Sequence, residues 1–125
     1  MPKETVYFSY PAKYYHTRES VEIAKWLEEV YGSVIDPEDL NIPKFKSCKQ
    51  CLTNILKWVL FPKIEECTLF ALWPASPTCQ LSCELHYAWT LGKRLVLITY
   101  NPQEIEEEDI TPQEYHTMEL MLGEY

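Results

Sequence analysis

The stretch TVYFSYPAKYYHTRESVEIAKWLEEVYGSVIDP, residues 5–37, decides the predicted fold. Its start, Thr5–Ser9, is rich in β-branched and aromatic residues and ends before a proline, which predicts a buried strand. Across Arg18–Tyr31 the apolar residues recur at helical spacing, and Gly32 follows as a natural stop. Ser33–Ile35 then predicts a second, short strand. The order strand, helix, glycine, strand is typical of the βαβ unit that opens a parallel sheet.

The rest of the chain continues this alternation. The same rules predict a helix, a strand, a helix, a strand and a final helix, at about Cys48–Val59, Thr68–Trp73, Gln80–Leu91, Arg94–Tyr100 and Pro112–Leu122. Pro62 is expected to end or kink the first of these helices, with Lys63–Glu66 leading into the strand. We therefore expect a single domain over residues 1–125. Its predicted class is a three-layer, doubly wound α/β fold, flavodoxin- or Rossmann-like, with four to five mainly parallel strands.

Composition restricts the classes of partner. The formal net charge is −8, from 11 basic and 19 acidic residues, which argues against a nucleic acid polymer but not against a single nucleotide. Much of the acidic charge lies in EIEEEDI, residues 104–110, which we interpret as a solvated face. No run reaches the roughly 18 apolar residues of a membrane span, and the first residues lead into a strand pattern without a leader. We expect a cytoplasmic protein with no membrane partner.

The chain has five cysteines, and an odd number without a leader favours reduced thiols over a disulfide framework. Cys48-x-x-Cys51 and Cys79-x3-Cys83 have spacings compatible with a zinc site. However, Cys79 and Cys83 are four residues apart on a predicted helix, where packing is the commoner role. Ordinary thiols are therefore favoured, a metal site and a redox pair remain as alternatives, and no metal or organic cofactor is expected.

Function is expected at one edge of the sheet. In doubly wound sheets ligands bind outside the carboxyl ends of the strands, which here selects the loops Ser9–His16, Asp36–Asn41 and Trp73–Ser82. Glu84 is expected near the start of the helix that follows the third loop. A first-turn carboxylate is stabilised as an anion, and a positioned carboxylate can attack the anomeric carbon of a sugar. It could instead hydrogen-bond sugar hydroxyls, or only complement the helix dipole.

The other candidate side chains are less specific. Tyr7 alternates with Phe8 on the first strand, so one of the two is expected to point away from the main core. A Tyr hydroxyl there could orient a carboxylate, although the pattern alone favours a core aromatic. His86 is interpreted as structural or exposed and Ser82 as a helix cap, and His16 lies in the first loop, where the sequence allows a substrate contact but does not indicate one. No glycine-rich phosphate-binding motif and no G-x-S-x-G motif occurs in the sequence.

Three segments resemble the nucleoside 2-deoxyribosyltransferase-like superfamily, which includes nucleotide N-glycosidases and nucleotide-binding domains. VYFSYP (Val6–Pro11) resembles the first strand and turn of that family, and YGSVIDPEDL (Tyr31–Leu40) resembles a later strand end. PTCQLSCELHYAWTLGKRLVLI (Pro77–Ile98) resembles its S-x-G-x-x-x-E-x-G-x-A-x-x-x-G-K-x-V signature. Together the segments lie within Val6–Ile98, about three quarters of the chain.

The resemblance implies an activity and a set of residues. Glu84 would be the nucleophile that displaces the base from C1′ of a ribose or deoxyribose, and Tyr7 would hydrogen-bond it. No metal or cofactor would be needed. The protein would form a homodimer or a higher homo-oligomer, with Tyr125 in the C-terminal segment completing a neighbour's pocket. The implied substrate-binding residues are Ser9, Tyr10, Pro11, Asp36, Glu66, Ser82 and Cys83.

The chain departs from the family pattern at several positions. Tyr10, Gln80 and His86 stand where the family has glycine, and Cys67 stands where it has aspartate, with Glu66 as a nearby substitute. These changes leave two alternatives to an enzyme: a non-catalytic module that binds or senses a nucleotide, and an interaction protein with a vestigial pocket.

Overall fold

A computed structural model describes residues 4–40, 59–76 and 79–122. Within these ranges the strands are β1 (Glu4–Ser9), β2 (Gly32–Ile35), β3 (Leu69–Leu72), β4 (Arg94–Asn101) and β5 (Glu104–Asp109). The α-helices there are α1 (Arg18–Tyr31), α2 (Phe61–Glu66), α3 (Cys79–Thr90) and α4 (Pro112–Leu122). The protein is therefore α/β, as predicted. The helix expected around residues 48–59, the pair Cys48 and Cys51, and Tyr125 lie outside the described residues, apart from position 59.

The five strands form one mixed sheet in the order β2-β1-β3-β4-β5. The first four are parallel to one another, and β5 is antiparallel to β4. The predicted count and the predominance of parallel pairing are thus confirmed. The sequence pattern did not indicate β5, because five carboxylates in six residues mask any alternation of apolar and polar side chains. Its side chains are nearly all exposed, so this segment is both a strand and the solvated face that we expected.

Each face of the sheet has its own core. On one side, named the α3 face, Tyr7 and Phe70 pack with residues of α2, α3 and α4 such as Ile64, Leu85 and Tyr115. The opposite side, the α1 face, buries apolar strand residues against helix α1; they include Val6, Phe8, Leu69, Ala71, Ile23 and Leu27. Tyr7 and Phe8 are consequently both fully buried, on opposite faces, whereas the sequence suggested that one of them would leave the core.

The ends of α1 follow from local chemistry. The side chain of Thr17 caps the helix by accepting a hydrogen bond from the Ser20 backbone N–H at 3.2 Å. At the other end Gly32, with φ at 130°, donates its N–H to the Glu28 carbonyl. A side chain would strain this backbone conformation, which explains why the helix stops at the glycine and β2 begins there.

The positions of Pro62 and Glu84 within their helices bear on the site. Pro62 lies in the first turn of α2, where a missing N–H does no harm, and the helix that it was expected to end or kink lies outside the described residues apart from position 59. The segment Lys63–Glu66, which was expected to lead into the strand, is helical. Helix α3 begins at Cys79, which makes Glu84 its sixth residue and Ser82 its fourth. Glu84 is therefore beyond the first turn, where the dipole effect acts, and Ser82 does not cap the helix. Another contact must account for the placement of Glu84.

Candidate functional site

That contact joins Glu84 to β1. The Tyr7 hydroxyl donates a hydrogen bond to Glu84 Oε1 at 2.5 Å, and both side chains are 0% exposed. Tyr7 projects from the middle of β1 onto the α3 face, and its ring stacks on Phe70 of the neighbouring strand β3. Glu84 shares one side of α3 with Leu81 and Ala88, which are buried in the same core. The sheet and the helix thus bring together the two residues that the sequence analysis paired.

Electrostatics assign the proton in this contact. Burial raises the pKa of Tyr7 well above its usual value of 10.0, and the neighbouring charge of Glu84 raises it further. Tyr7 is therefore a phenol at any physiological pH and acts as the donor. A carboxylate that accepts a hydrogen bond from a buried phenol is held in one orientation, which is the arrangement that a positioned nucleophile requires.

Ser9 is the second polar group on this face. It ends β1 two residues after Tyr7, so its side chain lies on the α3 face one step nearer the carboxyl edge. The residue is 0% exposed, and its Oγ has no hydrogen-bond partner among the residues described. Its carbonyl accepts a hydrogen bond from the Trp73 N–H at 2.9 Å. A buried hydroxyl without a partner is uncommon in native proteins.

Tyr10 and Asp36 form a separate pair on the α1 face. The Tyr10 hydroxyl donates to Asp36 Oδ1 at 2.7 Å, and its ring, 1% exposed, stacks on Phe8 with centroids 4.3 Å apart. Burial raises the pKa of Asp36 to about 7 and that of Tyr10 above its usual range. The first position after β1 is therefore filled by a buried phenol.

Aromatic rings surround Tyr10 at the same edge. Trp73 directly follows β3 and lies 6.1 Å from Tyr10 and 5.1 Å from Tyr14, measured between ring centroids. Tyr15 meets the Tyr10 ring edge-on, and Tyr100 contacts Trp73. The sequence analysis did not identify this cluster, although the spacing of tyrosines in YPAKYYH was a visible signal. The rings fill the carboxyl edge on the α1 face.

The remaining predicted residues are not all brought to one place. Pro11 is buried directly after Tyr10, and Ser82 and Cys83 are half-buried on α3 just before Glu84. Glu66 is exposed at the end of α2 and lies 3.5 Å from Lys63 Nζ. It precedes β3, so it lies toward the amino end of that parallel strand, away from the carboxyl edge.

Cys67 is a buried, uncharged residue. Its side chain is buried in the core of the α3 face, where burial raises the pKa of the thiol. The thiol is therefore neutral and packs as a small apolar group. Cys67 is not in a disulfide bond, and the described residues include no group of three or more His, Cys, Asp or Glu side chains that could hold a metal ion.

Two histidine contacts were not anticipated. His86 is exposed, with Nδ1 at 2.7 Å from the hydroxyl of Tyr115 in α4. His16 has a positive φ of 62°, and both its backbone N–H and its ring contact the Glu38 carboxylate. The first contact ties α4 to α3, and the second ties the loop after β1 to the turn after β2.

Comparisons with protein-family models, with curated proteins and with solved structures each found no match. Among the helices described, none is both long enough and apolar enough to cross a membrane. The site must therefore be interpreted from its own geometry.

Proposed function

We propose that this protein cleaves or transfers the N-glycosidic bond of a nucleoside or nucleotide, with Glu84 as the nucleophile. The observation that supports this most directly is the 2.5 Å hydrogen bond from Tyr7 to Glu84 in a fully buried setting. The pairing matches the nucleophile and orienting tyrosine of the nucleoside 2-deoxyribosyltransferase-like superfamily, which this chain resembles. We assign the protein to that superfamily as part of the proposal.

The proposed chemistry has two steps. A Glu84 carboxylate oxygen attacks C1′ of the sugar while the bond from C1′ to the base nitrogen breaks, and the base leaves with the electron pair and takes up a proton. Water then attacks C1′, the ester bond to Glu84 breaks, and one proton is released. In a transfer reaction a second base replaces the water. Tyr7 keeps its proton throughout and holds Oε1, so that it acts as a positioning residue.

The fold supports this location. The order β2-β1-β3-β4 reverses direction between β1 and β3, which in Rossmann-like, doubly wound sheets is the point where ligands bind. Ser9 ends β1 at this point, on the face that carries Tyr7 and Glu84. Its buried hydroxyl is suited to a sugar hydroxyl, and Ser82 and Cys83 of α3 lie next to the nucleophile in sequence. We propose the Rossmann-like class and this edge together.

A second candidate function is a nucleotide-binding module without catalysis. Tyr10 fills the position where a small residue would let the ligand approach, and Glu84 itself is 0% exposed. A substrate must displace neighbouring groups to reach the carboxylate, so the pair could persist as a structural remnant. In the third candidate, an interaction protein with a vestigial pocket, no small molecule would bind.

One experiment separates these functions. The protein is incubated with ribo- and deoxyribonucleosides and their 5′-nucleotides, released base is measured by chromatography, and melting curves are recorded on the same samples. Released base that disappears in Glu84→Gln supports the enzyme. Glu22→Gln is the matched control. Glu22 also accepts a hydrogen bond from a tyrosine hydroxyl, that of Tyr100, but it lies on α1, away from the proposed site.

Each other outcome selects a different function. A raised melting temperature with one nucleotide but no released base supports the binding module. No release and no shift with any compound supports the interaction protein. Base release that survives in Glu84→Gln at the wild-type rate overturns the assignment of the nucleophile.

We further propose a cytoplasmic homodimer or higher homo-oligomer, as the family resemblance implies. Sedimentation velocity of the full chain tests the assembly, and a sedimentation coefficient that stays monomeric up to millimolar concentration would contradict it.

A further inference from the structure

The hydroxyl of Ser9 is a buried polar group to which the proposed chemistry gives only a general role. Ser9 is 0% exposed, and its Oγ has no hydrogen-bond partner among the residues that the structure describes. Ser20 is also 0% exposed, but its Oγ donates to the Thr17 carbonyl at 3.0 Å. A buried hydroxyl without a partner lowers stability, so its presence on the face that carries Tyr7 and Glu84 points to a molecule that pairs with it there.

Ser9 lies nearer the carboxyl edge of the sheet than Tyr7 does. It ends β1 two residues after Tyr7 on the same face, which places it about 6.6 Å farther along the strand. Its neighbour in the register is Leu72, which ends β3 and is buried in the core of the α3 face. Helix α3 follows β3 and therefore starts at the same edge, with Glu84 as its sixth residue. A substrate that enters between β1 and α3 from this edge therefore passes Ser9 before it reaches Glu84.

The direction of attack decides which side of the sugar faces these residues. Displacement at C1′ requires that the carboxylate approach from the side opposite the departing base. In nucleosides of the natural β configuration the 2′- and 3′-hydroxyls lie on that side, whereas the 5′ group lies on the side of the base. The 2′ carbon is bonded to C1′ and is therefore next to Glu84, while the 3′-hydroxyl is one carbon farther away. Ser9 is displaced from the Tyr7–Glu84 pair along the strand, so its hydroxyl is suited to the 3′ position.

We propose that Ser9 determines sugar specificity by hydrogen-bonding the 3′-hydroxyl, so that the substrates are nucleosides or nucleotides that carry this group. The inference rests on the proposed function, since it takes Glu84 as the group that contacts C1′. A serine hydroxyl can both donate and accept, so the contact forms with ribose and with 2′-deoxyribose alike. A substrate that lacks the 3′-hydroxyl leaves Oγ buried without a partner and is bound less tightly.

Pairs of compounds that differ only in the 3′-hydroxyl test the contact. The 2′-deoxynucleosides and their 5′-monophosphates are compared with the 2′,3′-dideoxy compounds, and the ribo compounds with the 3′-deoxy compounds. The wild type should show a kcat/KM for base release that is about 10–100-fold higher with the 3′-hydroxyl than without it. In Ser9→Ala this ratio should fall to about threefold or less, through a loss on the hydroxylated member of each pair. Ser20→Ala is the matched control, because it removes an equally buried hydroxyl on α1, and it should keep the wild-type ratio.

Melting temperatures of the free proteins provide a test that needs no substrate. Ser9→Ala should melt at or above the wild-type temperature, because it removes a hydroxyl without a partner, whereas Ser20→Ala should melt lower. A Ser9→Ala protein that is destabilised as much as Ser20→Ala overturns the inference, since Ser9 would then have a structural role.

The outcomes also separate this inference from the proposed function. Base release with equal kcat/KM for both members of every pair, or a ratio unchanged in Ser9→Ala, overturns the role of Ser9 and leaves the proposed function standing. If no compound releases base, the same comparison is made with ligand-induced melting shifts. The absence of both release and shift overturns the inference together with the proposed function.

Discussion

The hydroxyl of Tyr7 and the carboxylate of Glu84 lie 2.5 Å apart although 77 residues separate them in the sequence. The contact links the interior strand β1 to α3 inside the core of the α3 face. A buried carboxyl group is unfavourable unless it is hydrogen-bonded, so Tyr7 affects both the position of Glu84 and the stability of the fold. Variants that separate the two effects show whether the pair is kept for chemistry.

Tyr7→Phe should lower the free energy of unfolding by about 1–3 kcal/mol, because it leaves the buried carboxyl group without this donor while the ring can still stack on Phe70. Urea denaturation measures the change. Tyr100→Phe is the matched control, because it removes a hydroxyl that donates to Glu22 in a more exposed position. It should lower the free energy of unfolding by about 1 kcal/mol or less. Equal losses in the two variants would show that burial does not strengthen the Tyr7 contact.

The double variant Tyr7→Phe/Glu84→Leu should be at least as stable as Tyr7→Phe alone. It removes the buried carboxyl group together with its donor, and apolar replacement of a buried polar pair is often neutral or stabilising. Denaturation midpoints of the wild type, both single variants and the double variant complete the cycle. A double variant less stable than either single one would mean that the pair is needed for packing, which weakens the functional interpretation.

The sequence predicted the parts of the fold that follow from periodicity. The β1-α1-β2 unit, β3, α3, β4 and α4 were indicated to within one or two residues, because apolar spacing and Gly32 or Pro112 mark them. Strand β5 was not indicated, since its pairing with β4 depends on a neighbouring strand and not on its own pattern. The dipole argument for Glu84 failed because this residue lies beyond the first turn of α3, as its sixth residue.

Only the part of the candidate site that follows from local sequence pattern and from the family resemblance could be predicted. Tyr7 and Glu84 were paired from the resemblance, and the structure brings them together. The Tyr10–Asp36 pair could not be foreseen, because it depends on which face each loop side chain takes after its strand ends. Glu66 was considered as a substitute for the aspartate that the resemblance implies, and local pattern could not show that it would be exposed at the amino end of β3.

Asp36 should make stability depend on pH. The pKa of its carboxyl group is about 7 in the folded chain, against an ordinary value of 3.8, so the native state binds the proton more tightly. The stabilisation is fully present below about pH 4 and is lost as pH rises through about 7, with a slope of at most about 1.4 kcal/mol per pH unit. Urea denaturation from pH 4.5 to pH 8 measures the slope, and Asp36→Asn should reduce it. A wild-type curve that parallels that of Asp36→Asn throughout would contradict this prediction.

Tyr10 should be a main contributor to the core of the α1 face. Tyr10→Ala removes a ring that packs on Phe8 and Trp73, and should lower the free energy of unfolding by about 3–5 kcal/mol. Tyr10→Phe keeps the ring but removes the hydroxyl that donates to Asp36, and it should lower the free energy of unfolding by about 1–3 kcal/mol. Thermal or urea unfolding separates the two values. If Tyr10→Ala were no less stable than Tyr10→Phe, the ring would not fill the carboxyl edge as the structure indicates.

Strand β5 should keep the sheet from pairing with a second copy through its open edge. It is one of the two edge strands of the described sheet. Glu104, Glu106 and Glu108 share one of its faces, while Glu107 contacts Tyr31 and Asp109 contacts Arg94. Two such edges placed side by side would bring like charges together, which is a common way for natural sheets to avoid edge pairing.

Glu106→Gln/Glu108→Gln should therefore increase concentration-dependent self-association, measured by sedimentation velocity at low salt. Glu28→Gln/Glu29→Gln removes the same two charges from an exposed part of α1 and should leave the sedimentation behaviour unchanged. Equal self-association in both double variants would assign the effect to net charge rather than to the strand edge.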